Sequence, residues 1–118
     1  MKLKKTENKK FLTSLSPNYE NKEQRNISFV IIHYTGIKSI KKTLEKFKNP
    51  KSKVSCHWLI SKTGNFYKVV EEKNIAWHCG VSRWKNIIGL NKNSIGIELD
   101  NLSYEFFVNK KRIVLLSV

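Results

Sequence analysis

Cysteine, histidine, arginine and acidic side chains are all scarce in this chain, and each shortage removes a class of function. Its 118 residues hold two cysteines, Cys56 and Cys79, at a spacing that fits neither a metal ribbon nor a redox motif, so they are read as unbridged and partly buried thiols. No apolar run approaches membrane-spanning length. Phe11-Leu12-Thr13-Ser14-Leu15, after the basic start, is too short and too polar for a signal segment, and a cytoplasmic protein with no membrane partner is expected. Neither an Asp/His/Ser order nor a phosphate-cradling glycine loop is present, nor any internal repeat. Acidic residues number 9 against 23 basic ones, a formal net charge of +14.

That charge would suit nucleic acid, but its distribution argues otherwise. It is concentrated in residues 1–10, 38–53 and 109–112, whereas 54–108 carries six basic and five acidic side chains. Only 3 of the 23 basic residues are arginine, the side chain that reads base edges bidentately. Solvated lysine faces are expected, with no nucleic-acid partner, and a basic rim would attract a substrate bearing carboxylates.

What is present is enough for one globular domain: 40% hydrophobic residues, with three Trp, four Tyr and six Phe. Residues 1–26 are polar, with a turn signal at Ser16-Pro17-Asn18, and read as an arm laid over a domain of residues 27–118. Ile27 to Tyr34 is apolar on both parities, as in a central strand covered on both faces. Ile37, Ile40, Leu44 and Phe47 recur at helical spacing among lysines, which predicts an amphipathic helix over 37–48, ended by Pro50. Val54–Ile60 and Phe66–Val70 read as strands of a hairpin turned at Gly64. Residues 80–92 read as a loop anchored by Trp84, and Ser94–Leu99 as a strand. This order predicts an α/β fold with a mixed central sheet flanked by helices. Beyond Tyr104 the apolar runs Phe106-Phe107-Val108 and Ile113-Val114-Leu115-Leu116 need a partner surface, and the second reads as an interrupted element.

Two strands each carry a titratable group where an unpaired charge or imidazole would be costly. His33 ends the first, on the parity of Phe29 and Ile31, and opens into Tyr34-Thr35-Gly36, a polar turn with room for a ligand. A neutral imidazole there is a common zinc ligand; a satisfied core histidine is the plain alternative. Glu98 shares its parity with Ser94 and Gly96, small residues that would leave its face clear for a general base, the alternative being a lysine pair. Ala76-Trp77-His78-Cys79-Gly80 suits the gripping of a sugar or peptide, although Trp77 reads equally well as core. His57 reads as core or as support for a site rather than as a ligand.

Taken together, Ser16-Pro17-Asn18-Tyr19, Val30-Ile31-Ile32-His33-Tyr34-Thr35-Gly36, Ser52-Lys53-Val54-Ser55-Cys56-His57-Trp58-Leu59-Ile60, Ala76-Trp77-His78-Cys79-Gly80-Val81-Ser82-Arg83-Trp84 and Asn93-Ser94-Ile95-Gly96-Ile97-Glu98-Leu99 resemble, in order and spacing, the type-2 N-acetylmuramoyl-L-alanine amidases, relatives of the peptidoglycan recognition proteins. The resemblance spans residues 16 to 107. It implies zinc-dependent hydrolysis of the amide between N-acetylmuramic acid and L-alanine in peptidoglycan fragments, by a monomer. It further implies that His33 is a zinc ligand, that Glu98 is the catalytic carboxylate, and that Trp77, His78, Tyr34 and Thr35 bind substrate. The family's other two protein ligands, a His and an Asp or Cys, lie in a later segment that has no counterpart here. Three readings follow: a chain truncated at its C-terminus, recruitment of His57, His78 or Cys79, or a muropeptide-binding module that does not cut. Truncation is the expectation, and with one ligand zinc should be held weakly or not at all.

Overall fold

A computed structural model describes residues 8–102 and the backbone of 114–117. The apolar run at 106–108 and the basic cluster at 109–112 lie outside the described residues, as do the first seven residues of the basic start.

The chain forms β1 (Phe11–Thr13), β2 (Tyr19–Glu20), β3 (Phe29–Tyr34), α1 (Ile40–Lys48), β4 (Trp58–Ile60), β5 (Phe66–Lys68), β6 (Ile75–Ala76), β7 (Arg83–Trp84), β8 (Ile87–Ile88), β9 (Ser94–Leu99) and β10 (Val114–Ser117). Six of these strands make one mixed sheet in the order β1-β5-β4-β9-β3-β10. At its centre β3 and β9 run parallel, in register from Phe29 beside Ser94 to Tyr34 beside Leu99. On one side β4 adds parallel to β9; on the other β10 adds antiparallel to β3. The run that reads in sequence as an interrupted element is thus a sheet strand over Val114–Ser117.

Although β3 is apolar on both parities, only one is buried. Phe29, Ile31 and His33 are enclosed, whereas Val30, Ile32 and Tyr34 are half-exposed. Among the described residues the cover lies on one side. Ile40, Leu44 and Phe47 of α1 pack with Leu59, and Leu59 sits beside Glu98, itself beside His33, so all three share a face.

The helix begins three residues later than its periodicity suggests, because Ser39 is extended (φ −135°) and caps it by accepting the Lys42 N–H at 3.2 Å. At its other end Asn49 closes the last turn and Pro50 opens a short 3₁₀ turn. The β4–β5 hairpin turns where expected, with Gly64 at φ +86°.

Two segments differ from their sequence reading. Residues 8–26 are woven into the domain rather than laid over it: β1 is an edge strand parallel to β5, and β2 pairs with β6. Buried Asn18 donates from Nδ2 to the carbonyls of Phe47, Asn49 and Val54 at 3.0–3.1 Å. It thereby satisfies the C-terminal end of α1, where carbonyls lack helical partners. Arg25 donates from Nε to the Glu72 carbonyl at 2.9 Å and from Nη1 to that of Ser94 at 2.8 Å. The second difference lies in 80–92, where β7 and β8 form a hairpin that projects into solvent. Trp84, expected to anchor this segment, is 46% exposed. Leu90 does so instead, buried against Phe29 and Ile31.

Candidate metal centre and active site

The parallel register places His33 directly beside Glu98. Paired residues on neighbouring strands project to the same side, so imidazole and carboxylate share the buried face; both are under 9% exposed. That face is not open, as the small residues of β9 suggest in sequence. Its space is filled by the His78 ring. A Cβ built on Gly96 would lie under 3.0 Å from Cγ, Cδ2 and Nδ1 of that ring, which is the close approach a glycine inside a strand permits.

His78 sits after β6, in a turn fixed by one side chain. The Asn91 Oδ1 accepts the backbone N–H groups of both His78, at 3.2 Å, and Cys79, at 2.9 Å. The Ser94 hydroxyl donates to the Leu90 carbonyl at 2.7 Å. Its single hydrogen is then used, so toward His78 Nε2, 3.1 Å away, it can only accept. The His78 proton is therefore assigned to Nε2, leaving Nδ1 with a lone pair. That lone pair is 3.0 Å from His33 Nε2 and 3.2 Å from Cys79 Sγ. The three atoms lie within 4.8 Å of one another.

His57 is close to this group, its ring centroid 5.9 Å from that of His78, but both of its nitrogens are occupied. The Gly96 N–H donates to Nδ1, and Nε2 donates to the Asn74 carbonyl, each at 2.9 Å. Burial lowers its pKa to about 4, and the nearby Arg25 guanidinium adds to the effect. It is a neutral structural ring, in keeping with its sequence reading as core or support, and it has no lone pair for a metal. Unfolded, it would titrate near 6.5. Stability should therefore be undiminished by this group above pH ~6.5 and fall by up to about 3 kcal/mol as the pH drops toward ~4, because only the unfolded chain takes up the proton in that interval. Urea midpoints measured across this range test it: His57→Gln should flatten the decline, and an unchanged profile would exclude His57 as its source.

The remaining residues are more dispersed. Tyr34 falls on the opposite parity of β3, beside Leu99, so the strand's alternation carries it away from His33. Thr35 staples the strand exit: its N–H donates to the Leu99 carbonyl at 2.9 Å, and the next residue, Gly36, stands at φ +61°. Trp77, half-buried next to His78, is held by its backbone, its N–H donating to Ser55 Oγ at 2.9 Å. Cys56 is fully enclosed, and burial pushes its thiol pKa well up. It is not bridged to Cys79.

Sequence reasoning missed Ser94 and Asn91, which set the tautomer and backbone of His78. Ser94 carried a signal, since it shares the parity of Gly96 and Glu98; Asn91, in an irregular segment, carried none.

Comparison with known proteins bears on the family and the fold. The profile of the N-acetylmuramoyl-L-alanine amidase family matches residues 23–113. The chain belongs to this family. It is 34% identical over 88 residues to N-acetylmuramoyl-L-alanine amidase AmiD of Escherichia coli (strain K12), an alignment covering 67% of this chain and 30% of AmiD. Among solved structures, a selenomethionine derivative of AmpD superposes with a TM-score of 0.68 at 26% identity, over 86% of this chain and 66% of that one. E. coli AmiD in complex with its substrate anhydro-N-acetylmuramic acid-L-Ala-D-γ-Glu-L-Lys gives 0.58 at 29% identity, over 71% and 35%. The mixed sheet is that of this amidase family, and the chain spans under a third of AmiD. Among the described residues no helix is long and apolar enough to cross a membrane.

Proposed function

We propose that this chain is a zinc-dependent amidase that cleaves the bond between N-acetylmuramic acid and the L-alanine of peptidoglycan fragments. The observation that carries the reading is the register of β3 and β9, which sets His33 and Glu98 side by side on one buried face in a chain of this family.

The donors around His33 are of the kind zinc takes, imidazole nitrogen and thiol sulfur within 4.8 Å of one another. Zinc supplies a Lewis acid there, polarising a carbonyl and acidifying water. Glu98, enclosed and close to His33, takes the proton of the attacking water and returns it to the leaving L-alanine amine, serving as base and then acid. Trp77 offers a flat surface for sugar or peptide, and Thr35 shapes the exit of β3. Two unbridged cysteines suit a reducing compartment, which supports a cytoplasmic reaction, in recycling of wall fragments by a single copy of the chain.

Incubation with equimolar zinc and N-acetylmuramoyl-L-Ala-D-γ-Glu-L-Lys, followed by assay of the freed α-amine, tests the reading. Amine release by the zinc-loaded chain and none by the metal-free chain is expected. Binding of the muropeptide without release would replace the amidase by a muropeptide-binding module.

A further inference from the structure

We propose that this chain holds a metal ion through His33 Nε2, His78 Nδ1 and Cys79 Sγ, an adjacent His-Cys pair completing a three-donor set with the histidine of β3. The inference rests on the reading of His33 as a metal ligand and goes beyond it by naming the rest of the set, in place of the weak binding expected from one ligand.

Four observations converge. The donor atoms are already gathered, at 3.0 Å from His33 Nε2 to His78 Nδ1 and 3.2 Å from that nitrogen to Cys79 Sγ. Tetrahedral zinc, with bonds of about 2.0–2.1 Å to nitrogen and 2.3 Å to sulfur, sets such pairs about 3.3 and 3.6 Å apart, so both contacts of His78 Nδ1 need open by only a few tenths of an ångström, with His33 Nε2 and Cys79 Sγ already within 4.8 Å of each other. Second, the tautomer is preset. Ser94, with its hydrogen committed to the Leu90 carbonyl, takes the His78 Nε2 proton and turns the Nδ1 lone pair toward the other two donors. Third, the backbone of the pair is fixed, since Asn91 Oδ1 accepts the N–H groups of both residues. Finally, there is a route in: Cys79 is only half-buried, and Gly80 beyond it is exposed with nothing within 4 Å of a Cβ built on it.

Without metal, an imidazole N–H and a thiol converge on the single lone pair of His78 Nδ1. Entry of a divalent ion replaces those hydrogens. The thiol loses its proton to solvent, the His33 proton moves from Nε2 to Nδ1, and both rings stay neutral, so one proton leaves for each ion bound. Three nitrogen and sulfur ligands leave a fourth position open, as in catalytic zinc sites. Cys56 is excluded because it lies in the separate core cluster with Phe47 and Leu59, and His57 because both its nitrogens are engaged.

The test is titration of the intact chain with Co²⁺, whose bond to a thiolate gives a near-ultraviolet charge-transfer absorption, and then with Zn²⁺. One ion per chain with that absorption is expected in the wild type and in Cys56→Ala. Cys79→Ser should lose the absorption while keeping its circular dichroism, and Ser94→Ala should bind about 10–100-fold more weakly. A metal complex without the thiolate band, or a band surviving in Cys79→Ser, would overturn the ligand set while leaving the amidase reading intact. Failure of the folded chain to bind either ion would overturn both. One bound zinc with the sulfur signature but no amide hydrolysis supports the site and removes only the amidase.

Discussion

Glu98→Gln in the zinc-loaded chain is expected to slow release of the L-alanine amine by about 10²–10⁴-fold, the usual contribution of a positioned general acid–base. Glutamine keeps the shape of the side chain on β9 but can neither accept the proton of water nor deliver one to the amine. Glu98 sits between His33 on one neighbouring strand and Leu59 on the other, so the loss should fall on turnover. Muropeptide affinity and zinc content should be little changed. His33→Ala differs in kind, because it should abolish activity by removing metal. Measuring turnover and bound zinc in both variants distinguishes the roles; a Glu98→Gln chain that retained full turnover would exclude that carboxylate from the chemistry.

Gly96→Ala should be the most disruptive single-methyl change at the site. The added Cβ would fall under 3.0 Å from three atoms of the His78 ring, and neither side can yield cheaply. Strand β9 is pinned at this residue, the Gly96 carbonyl accepting the His57 N–H and the Gly96 N–H donating to His57 Nδ1, each at 2.9 Å. The ring is held from the other side by Ser94. Overpacking of this kind costs about 1–3 kcal/mol, which urea denaturation will register. Because the ring can escape only by turning Nδ1 away from His33 and Cys79, Co²⁺ binding should be lost in the folded variant too. Wild-type stability and cobalt binding in Gly96→Ala would show that the ring tolerates displacement.

Much of this arrangement was legible in the chain, for reasons that are local. β9 is legible at Ser94–Leu99, its observed bounds, because alternation of small or acidic with aliphatic residues is a property of the strand alone. The hairpin at Gly64 and the helix ended before Pro50 were legible on the same ground. The misreadings share a different origin. Trp84 reads as an anchor because large aromatics generally are buried, yet among the described residues its two-residue strand pairs only with β8 and carries it outward. Residues 11–13 looked like surface arm, being too short to declare a strand until β5 offered them an edge.

By itself the sequence determined the family, through five ordered blocks, along with an α/β class, the two strands that carry His33 and Glu98, and a histidine and cysteine in one short turn. Periodicity, turn chemistry and motif order are written in neighbouring residues, so they need no knowledge of what lies across the molecule. Which histidine ring lies against His33 is a matter of tertiary packing alone. His57 and His78 were open alternatives in sequence; they were separated by hydrogen-bond partners 17 to 39 positions from His57 and 16 from His78. Those partners occupy both nitrogens of one ring and leave a lone pair on the other. A proton's place on an imidazole is set by what faces each nitrogen, and in this chain it is the packing of β9 against the turn at 78–79 that supplies those facing groups.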